Sequence, residues 1–227
     1  MPTNAIDAWA GLEPAWRACF DLAWDSFRAG SLPVGAVLVD AAGTVVRTGR
    51  NHWNEHTAGP GLVAGSRIAH AEINALATLP AADYADHVLY TTLEPCLLCT
   101  VALRFSHVGT VRFAATDPMW YSMDKVPGLN HHVARRWTVR EGPLPGPVGG
   151  WAAVLHLISA VERDMRLVQA CHEEAAPDVL RVARRLAPTA DRLRTLSAPE
   201  ALEAMWADLD DLPSSEDSGT PVPGRAA

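Results

Sequence analysis

His70-Ala71-Glu72 and Pro95-Cys96-Leu97-Leu98-Cys99 are the two stretches that decide how this sequence is interpreted. Together they supply one histidine and two cysteines, which are preferred zinc ligands, and one carboxylate that is left free. Structural zinc sites have four protein ligands, whereas catalytic sites have three and keep one position for water. The pattern therefore predicts catalytic zinc bound by His70, Cys96 and Cys99, with Glu72 placed to accept a proton from water.

The spacing of the two cysteines agrees with metal binding. Cys96 and Cys99 lie three residues apart at the predicted start of a helix, so their sulfurs share one face, and the helix N-terminus favours the thiolate form. A Cys-x-x-Cys pair alone is also typical of a redox site or of half a zinc ribbon. The other two of the four cysteines, Cys19 and Cys171, lie in apolar helical stretches and cannot complete a ribbon.

The order His-x-Glu followed by Pro-Cys-x-x-Cys is the signature of the zinc-dependent base deaminases. Over residues 33–142 the sequence resembles the cytidine deaminase superfamily. The resemblance implies an α/β fold of three layers, α-β-α, with a five-stranded mixed sheet. It also implies hydrolytic release of ammonia from an amine-bearing ring, with Glu72 as the proton shuttle and backbone groups near Ala71 supporting the transition state.

Further candidates for substrate binding follow from the same resemblance and from position. Relatives use a Gly-x-Asn that closes the second strand to bind the base, and Asn51 matches it, although a turn asparagine is the alternative. Asp117 follows a strand end, and it is either a site residue or a helix cap before a proline. Trp120 and Tyr121 form an aromatic wall or anchor a loop, and Trp53 has the same two interpretations. Glu94, directly before the Pro-Cys motif, completes the set.

Hydrophobic patterning divides the chain into four parts. Residues 1–142 are predicted to form the deaminase domain, with strands at 34–39, 44–49, 88–92, 111–115 and 137–140 and helices at 12–30, 68–79 and 96–105. Residues 143–150, rich in Pro and Gly, are predicted to be a linker without regular structure. Residues 151–212 are predicted to form a helical extension, and residues 213–227 a disordered tail.

Composition narrows the functional classes. The chain is 48% hydrophobic and 20% charged, as in globular proteins, and its net charge of −7 gives no basic field that would attract a polyanion. A signal peptide and a membrane-spanning apolar run are not indicated, and zinc thiolates suit a reducing compartment, so a cytoplasmic protein is expected. Relatives form dimers through helices that flank the site, which makes a homodimer the expected state.

The function of the protein has three interpretations. Residues 92–99, 115–118 and 127–133 resemble the branch that contains guanine deaminases and bacterial tRNA adenosine deaminases. Residues 151–227 hold 8 Arg and 13 Asp plus Glu, a net charge of −5, which opposes binding to phosphates. The sequence therefore predicts deamination of a small nucleobase, nucleoside or related heterocycle. A tRNA wobble adenosine deaminase is the alternative, and a zinc module without catalysis is the third.

Overall fold

The centre of the protein is a five-stranded mixed sheet, which a computed structural model shows within residues 2–212, the part of the chain it describes. The strand order is β2-β1-β3-β4-β5. β1 pairs antiparallel with β2 and β3, whereas β3, β4 and β5 are parallel. This confirms the predicted sheet and its parallel half. The strands are β1 Gly35–Val39, β2 Val45–Arg50, β3 Val88–Leu93, β4 Thr110–Ala115 and β5 Val139–Glu141.

Helices cover both faces of the sheet and form an additional helical region near the C-terminal end of the described chain. Short 3₁₀ turns lie at Pro118–Trp120, Met123–Leu129 and Ala187–Thr189. The α-helices are α1 Ala5–Ala10, α2 Pro14–Arg28, α3 Ala71–Leu76, α4 Leu97–Phe105, α5 His131–Ala134, α6 Pro147–Glu162, α7 Arg166–Ala175, α8 Pro177–Leu186, α9 Ala190–Leu193 and α10 Ala198–Asp210.

Two glycines in the hairpin show that α2 and α3 lie on opposite faces. Ala36 pairs with Gly49, so these two positions face the same side of the sheet. Gly35 directly precedes Ala36 in β1, so its side-chain position points to the opposite face. A Cβ at Gly35 would overlap the backbone of α2, whereas one at Gly49 would overlap the carbonyl oxygen of Ala71 and the amide nitrogen of Ala75 in α3. The predicted three-layer α-β-α arrangement follows from this geometry.

The helical extension shares one hydrophobic core with the sheet domain. Trp151 of α6 is fully buried, and its ring stacks on Phe20 of α2 with 5.2 Å between centroids. The rings of Trp9 and Trp24 lie 6.2 Å and 5.9 Å from it. The apolar residues of α6 therefore cover the α2 side of the sheet, as an extension packed on the deaminase domain requires.

The predicted linker at residues 143–150 is too long. Helix α6 begins at Pro147 and includes Gly149 and Gly150. Proline suits the first turn of a helix, where an N–H has no intrahelical partner. Gly149 is needed because a Cβ there would overlap the carbonyl oxygen of Leu144. Gly149, which contributed to the prediction of a segment without regular structure, thus allows close packing inside a helix.

The helix predicted at residues 68–79 is also wrong at both ends. His70 is extended, with φ −74° and ψ 154°, and α3 begins only at Ala71. The backbone before it pairs with the preceding loop, since the Ala69 carbonyl accepts the N–H of His52. Pro80 disfavours helical structure in the residue before it. α1 was not predicted at all, because its six residues are too short for a clear helical period.

No helix within residues 2–212 has both the length and the hydropathy that a bilayer span requires. Helix α6 is apolar on most sides, but its 16 residues fall short of the roughly 20 that cross a membrane. The tail predicted to be disordered, residues 213–227, lies outside the described part of the chain.

Replacing Gly49 by alanine is expected to lower the free energy of unfolding by about 1–3 kcal/mol, because the added methyl group pushes α3 away from β2. Zinc binding should weaken as well, since His70 directly precedes α3. Gly128→Ala is the control, because a Cβ there meets no atom within 4 Å. Urea unfolding and zinc titration measure both effects. Equal stability and zinc affinity in the two variants would contradict the packing described here.

Candidate active site

The three predicted metal ligands meet at the starts of two helices. His70 is the N-cap of α3 and Cys96 is the N-cap of α4, with Cys99 in the first turn of α4. The Nδ1 atom of His70 lies 3.6 Å from the sulfur of Cys96 and 3.3 Å from that of Cys99. Tetrahedral zinc, with bonds of about 2.3 Å to sulfur and 2.0 Å to nitrogen, separates such atoms by about 3.6 Å. The donor set therefore fits zinc in both chemistry and spacing.

A lowered pKa favours the thiolate form of Cys96, which is the form that binds metal. A hydrogen bond from the Cys99 thiol lowers the pKa of Cys96 to about 4, against the opposing effect of burial. The same hydrogen bond raises the pKa of Cys99, and burial raises it further. Without metal the pair thus retains one proton, which zinc would displace on binding.

Glu72 lies beside this cluster and is almost completely buried. Its Oε1 accepts a hydrogen bond from the Thr91 hydroxyl at 3.0 Å, and its Oε2 lies 3.3 Å from the Cys99 sulfur. Burial raises the pKa of Glu72, and the negative charge of Cys96 raises it further. A carboxylate with a raised pKa next to a three-ligand metal cluster is suited to take up and return a proton.

The cluster opens into a cavity of about 350 Å³, at the small end of the range for ligand pockets. Asn51 lines it, and its backbone is fixed because its N–H donates to the Val34 carbonyl and its C=O accepts from the Ser26 hydroxyl. The side-chain oxygen of Asn51 accepts the N–H of Trp53 at 2.9 Å. This bond engages the side-chain oxygen and leaves the NH₂ group of the amide as the available donor.

Asp117 and Glu94 form a buried polar network at the ends of parallel strands. Asp117 both caps the 3₁₀ turn, accepting from the Met119 N–H at 3.0 Å, and lines the cavity. Burial raises the pKa of Asp117 to about 7. Glu94 accepts the Asp117 N–H at 3.1 Å and pairs with Arg140 of β5 at 2.8 Å. Glu94 therefore has protein partners for both oxygens and holds the strand ends together.

The aromatic candidates separate into two groups. Trp53 and Trp120 line the cavity, as does Ala71, whose position at the first residue of α3 leaves its N–H without an intrahelical acceptor. Tyr121 is 38% exposed and does not belong to the cavity lining. The structure thus brings all the other predicted site residues together and places Tyr121 at the surface.

Three parts of the site carry little or no signal in the sequence. Thr91, which holds Glu72, carries only a weak signal as a polar residue in a buried strand. Arg140, the partner of Glu94, ends the strand predicted at residues 137–140, and no motif marks it as a site residue. The helical extension supplies a wall of the cavity through His156, Met165 and Val168. In α6 a lone histidine in the run Val154-Leu155-His156-Leu157-Ile158 could have indicated a buried polar role.

Comparison with known proteins places this geometry in a family. Residues 12–115 match the model of the cytidine and deoxycytidylate deaminase zinc-binding region. A tRNA-specific adenosine deaminase of Aquifex aeolicus is 30% identical over 118 residues, which are 48% of this chain and 72% of that protein. The chain belongs to the cytidine deaminase superfamily. The expected membership is confirmed, and the extension that closes the cavity lies outside the segment matched by this superfamily's zinc-binding region.

Other members of the superfamily differ in their named substrates. A tRNA-specific adenosine deaminase of Haemophilus influenzae is 35% identical over 46% of this chain, and the match spans 58% of that protein. A cytosine deaminase of Candida albicans is 33% identical over 38% of this chain and 55% of its own length. The matches thus span little more than half the length of these two relatives. A solved guanine deaminase of Nitrosomonas europaea is 21% identical, with 71% of this chain and 94% of that chain covered and a TM-score of 0.49.

Purified protein is expected to carry about one zinc ion per chain, and Cys96→Ala should lose most of it because two ligands remain. Cys171→Ser is the matched control, since Cys171 is a free cysteine outside the cluster. Metal analysis after desalting gives the ratio. Full loading of Cys96→Ala, or no zinc in the unsubstituted protein, would show that this cluster is not the metal site.

Proposed function

We propose that this protein is a zinc-dependent hydrolytic deaminase that acts on a small nucleobase, nucleoside or related amino-heterocycle. The observation that supports it most is the position of Glu72, a buried carboxylate beside three metal-ligand side chains in a cavity of about 350 Å³. A structural zinc site has four protein ligands and no need of a free buried carboxylate. The zinc module without catalysis is therefore disfavoured.

The chemistry assigned to each residue follows from its contacts. Zinc bound at the three ligands would supply a Lewis acid that lowers the pKa of water. The Oε1 atom of Glu72 is held by Thr91, so Oε2, on the side of Cys99, is the oxygen that receives a proton and returns it to the ring nitrogen and the leaving amine. Asn51 donates its NH₂ to the substrate and thereby orients the amine-bearing carbon.

The character of the cavity supports a small substrate. Its walls include the apolar side chains of Leu32, Val34 and Met165 together with two tryptophans. These surfaces suit a planar ring and exclude bulk water, which strengthens the polar contacts that remain. Within residues 151–212 the extension carries 7 Arg and 11 Asp plus Glu, a net charge of −4, which disfavours the binding of a phosphate backbone to the extension as a whole.

A tRNA adenosine deaminase is the second candidate. Relatives from Aquifex aeolicus and Haemophilus influenzae carry that name, and residues 127–133 resemble the tRNA enzymes. In the structure Leu129 within this segment is 83% exposed, which leaves it free to contact a large partner. The acidic extension next to the cavity weighs against this candidate.

Two further expectations stay predictions: a homodimer and a cytoplasmic location. Support for the dimer comes from an apolar stripe on α4, where Phe105 is 72% exposed and Leu97, Leu98 and Val101 are partly exposed. These residues lie one or two turns apart on one side of the helix. Sedimentation measures whether the 24.4 kDa chain pairs in solution.

Glu72→Gln is expected to retain zinc and fold but to lose about 10²–10⁴-fold in turnover, because the amide cannot shuttle a proton. Ammonia release from a panel of free bases, nucleosides and aminated heterocycles measures turnover. Glu203→Gln, at an exposed position of α10, is the charge-matched control. Retained turnover in a zinc-loaded Glu72→Gln protein would refute the role of Glu72, and no turnover of the unsubstituted protein on the panel would refute the proposed function.

The dependence of turnover and binding on salt concentration distinguishes the two substrate classes. Deamination of a small uncharged heterocycle should change little between 50 and 200 mM salt, because no phosphates are neutralised. Binding of a tRNA anticodon stem-loop by a true tRNA enzyme would fall steeply, with log K decreasing by about 0.7–0.9 per phosphate contact for each unit of log salt. Tight, salt-sensitive tRNA binding with inosine formation, and free bases left intact, would favour the second candidate.

A further inference from the structure

Arg163, the residue that follows α6, connects the helical extension to the loop after β2. Its guanidinium carbon lies over the indole ring of Trp53, 5.7 Å from the ring centroid. A cation within about 6 Å of a tryptophan ring centroid is attracted to the face of the ring. A guanidinium nitrogen of Arg163 also donates a hydrogen bond to the carbonyl of Gly30, in the turn after α2. One side chain of the extension therefore contacts two parts of the sheet domain.

The acidic residues on either side of Arg163 have other partners. Glu162 forms an ion pair with Arg194 at 2.6 Å. Asp164 forms an ion pair with Arg166 at 2.9 Å. The guanidinium group of Arg163 is thus available for the indole ring, and a planar guanidinium is well suited to lie on an aromatic face.

Trp53 in turn holds the side chain of Asn51. The backbone N–H of Trp53 donates to the side-chain oxygen of Asn51 at 2.9 Å, and both residues line the cavity. The next residue, Asn54, donates its N–H to the hydroxyl of Ser31 at 3.1 Å, in the same turn that Arg163 contacts. The position of the Asn51 amide therefore depends on a short segment that is fixed by the turn after α2 and by the extension.

We propose that Arg163 is a positioning residue of the active site, and that it acts through Trp53 to keep the NH₂ group of Asn51 directed at the substrate. The inference rests on the proposed function and assigns the helical extension a part in substrate binding. Arg163 does not itself line the cavity, so its effect on a substrate is transmitted by Trp53 and Asn51.

The groups that carry out the chemistry are held by other contacts. The three metal ligands lie close to one another, and Glu72 is held by the hydroxyl of Thr91. These contacts do not involve the extension. Loss of the Arg163 contact should therefore weaken the binding of substrate, which raises KM, and leave proton transfer by Glu72 and thus kcat nearly unchanged.

The test compares full-length, zinc-loaded Arg163→Met with Arg166→Met on the heterocycle that the unsubstituted protein deaminates best. Arg166, at the start of α7, is the matched control because its side chain is 86% exposed. Arg163→Met should raise KM by about three- to thirtyfold, the range expected for the loss of a cation–π contact. The change in kcat should stay below about threefold. Arg163→Lys, which keeps the charge, should have an intermediate KM.

A double-mutant cycle with Asn51→Ala tests whether Arg163 acts through the amide. In the Asn51→Ala protein, Arg163→Met should raise KM by less than about twofold, because the group that Arg163 positions is already absent.

Hydrogen exchange of the Trp53 amide is a readout that needs no substrate. Exchange should be at least about threefold faster in Arg163→Met, because the hydrogen bond from Trp53 to Asn51 opens more often, and unchanged in Arg166→Met. A purely structural role of Arg163 would lower the Tm and leave KM unchanged.

The outcomes separate the failure of this inference from the failure of the proposed function. An unchanged KM in Arg163→Met, or an effect that is fully additive with that of Asn51→Ala, overturns the role of Arg163 while the deaminase function stands. Where Arg163→Met does not fold, Arg163→Gln replaces it under the same criteria. Absence of turnover by the unsubstituted, zinc-loaded protein on every heterocycle overturns the proposed function, and the role of Arg163 falls with it. A raised KM with a nearly constant kcat, non-additivity with Asn51→Ala and faster exchange at Trp53 support the inference.

Discussion

The contact between the start of α3 and the backbone of β2 is the constraint on which the rest of the site depends. A side chain at Gly49 would overlap Ala71 and Ala75, so the helix lies directly against the strand. His70 precedes that helix and Asn51 follows that strand, which places the predicted metal ligand and the cavity-lining amide of Asn51 on either side of one backbone contact. The distance between His70 and Asn51 is thereby set by the packing of main-chain atoms, which allows less movement than contacts between loops.

A second level of organisation is electrostatic. The carboxylates Glu72, Glu94 and Asp117 line the cavity near the metal ligands, and burial raises the pKa values of Glu72 and Asp117. The three carboxylates differ in their partners. Glu94 forms an ion pair with Arg140, whereas Glu72 and Asp117 have raised pKa values. Glu94 thus links three strand ends through its contacts with the Asp117 N–H and Arg140, and the carboxyl groups of Glu72 and Asp117 remain able to gain or lose a proton.

The metal ligands and Glu72 were predictable because they occur in two short motifs with fixed spacing, His-x-Glu and Pro-Cys-x-x-Cys. The sheet was predictable because apolar runs alternate with turns and helical patterns. The start of α6 and the extent of α3 were not, because Gly149 and His70 follow tertiary contacts with Leu144 and with the sulfurs of α4, not local preference. The contribution of the extension to the cavity was not predictable for the same reason. No local pattern indicates that His156, Met165 and Val168 line a cavity whose other residues lie between Leu32 and Trp120.

Placing one wall of the cavity so late in the chain has a consequence for biosynthesis. All three metal ligands have been synthesised once residue 99 is added, but the wall that includes His156, Met165 and Val168 is complete only after Val168 has followed. Until Trp151 emerges, the aromatic surface of α2 around Phe20 lacks the ring that stacks on it in the folded protein. A nascent chain therefore passes through a stage that contains every metal-binding group but lacks part of its hydrophobic core and one wall of its cavity. Chains terminated at that length would expose apolar surface and be prone to aggregation and proteolysis.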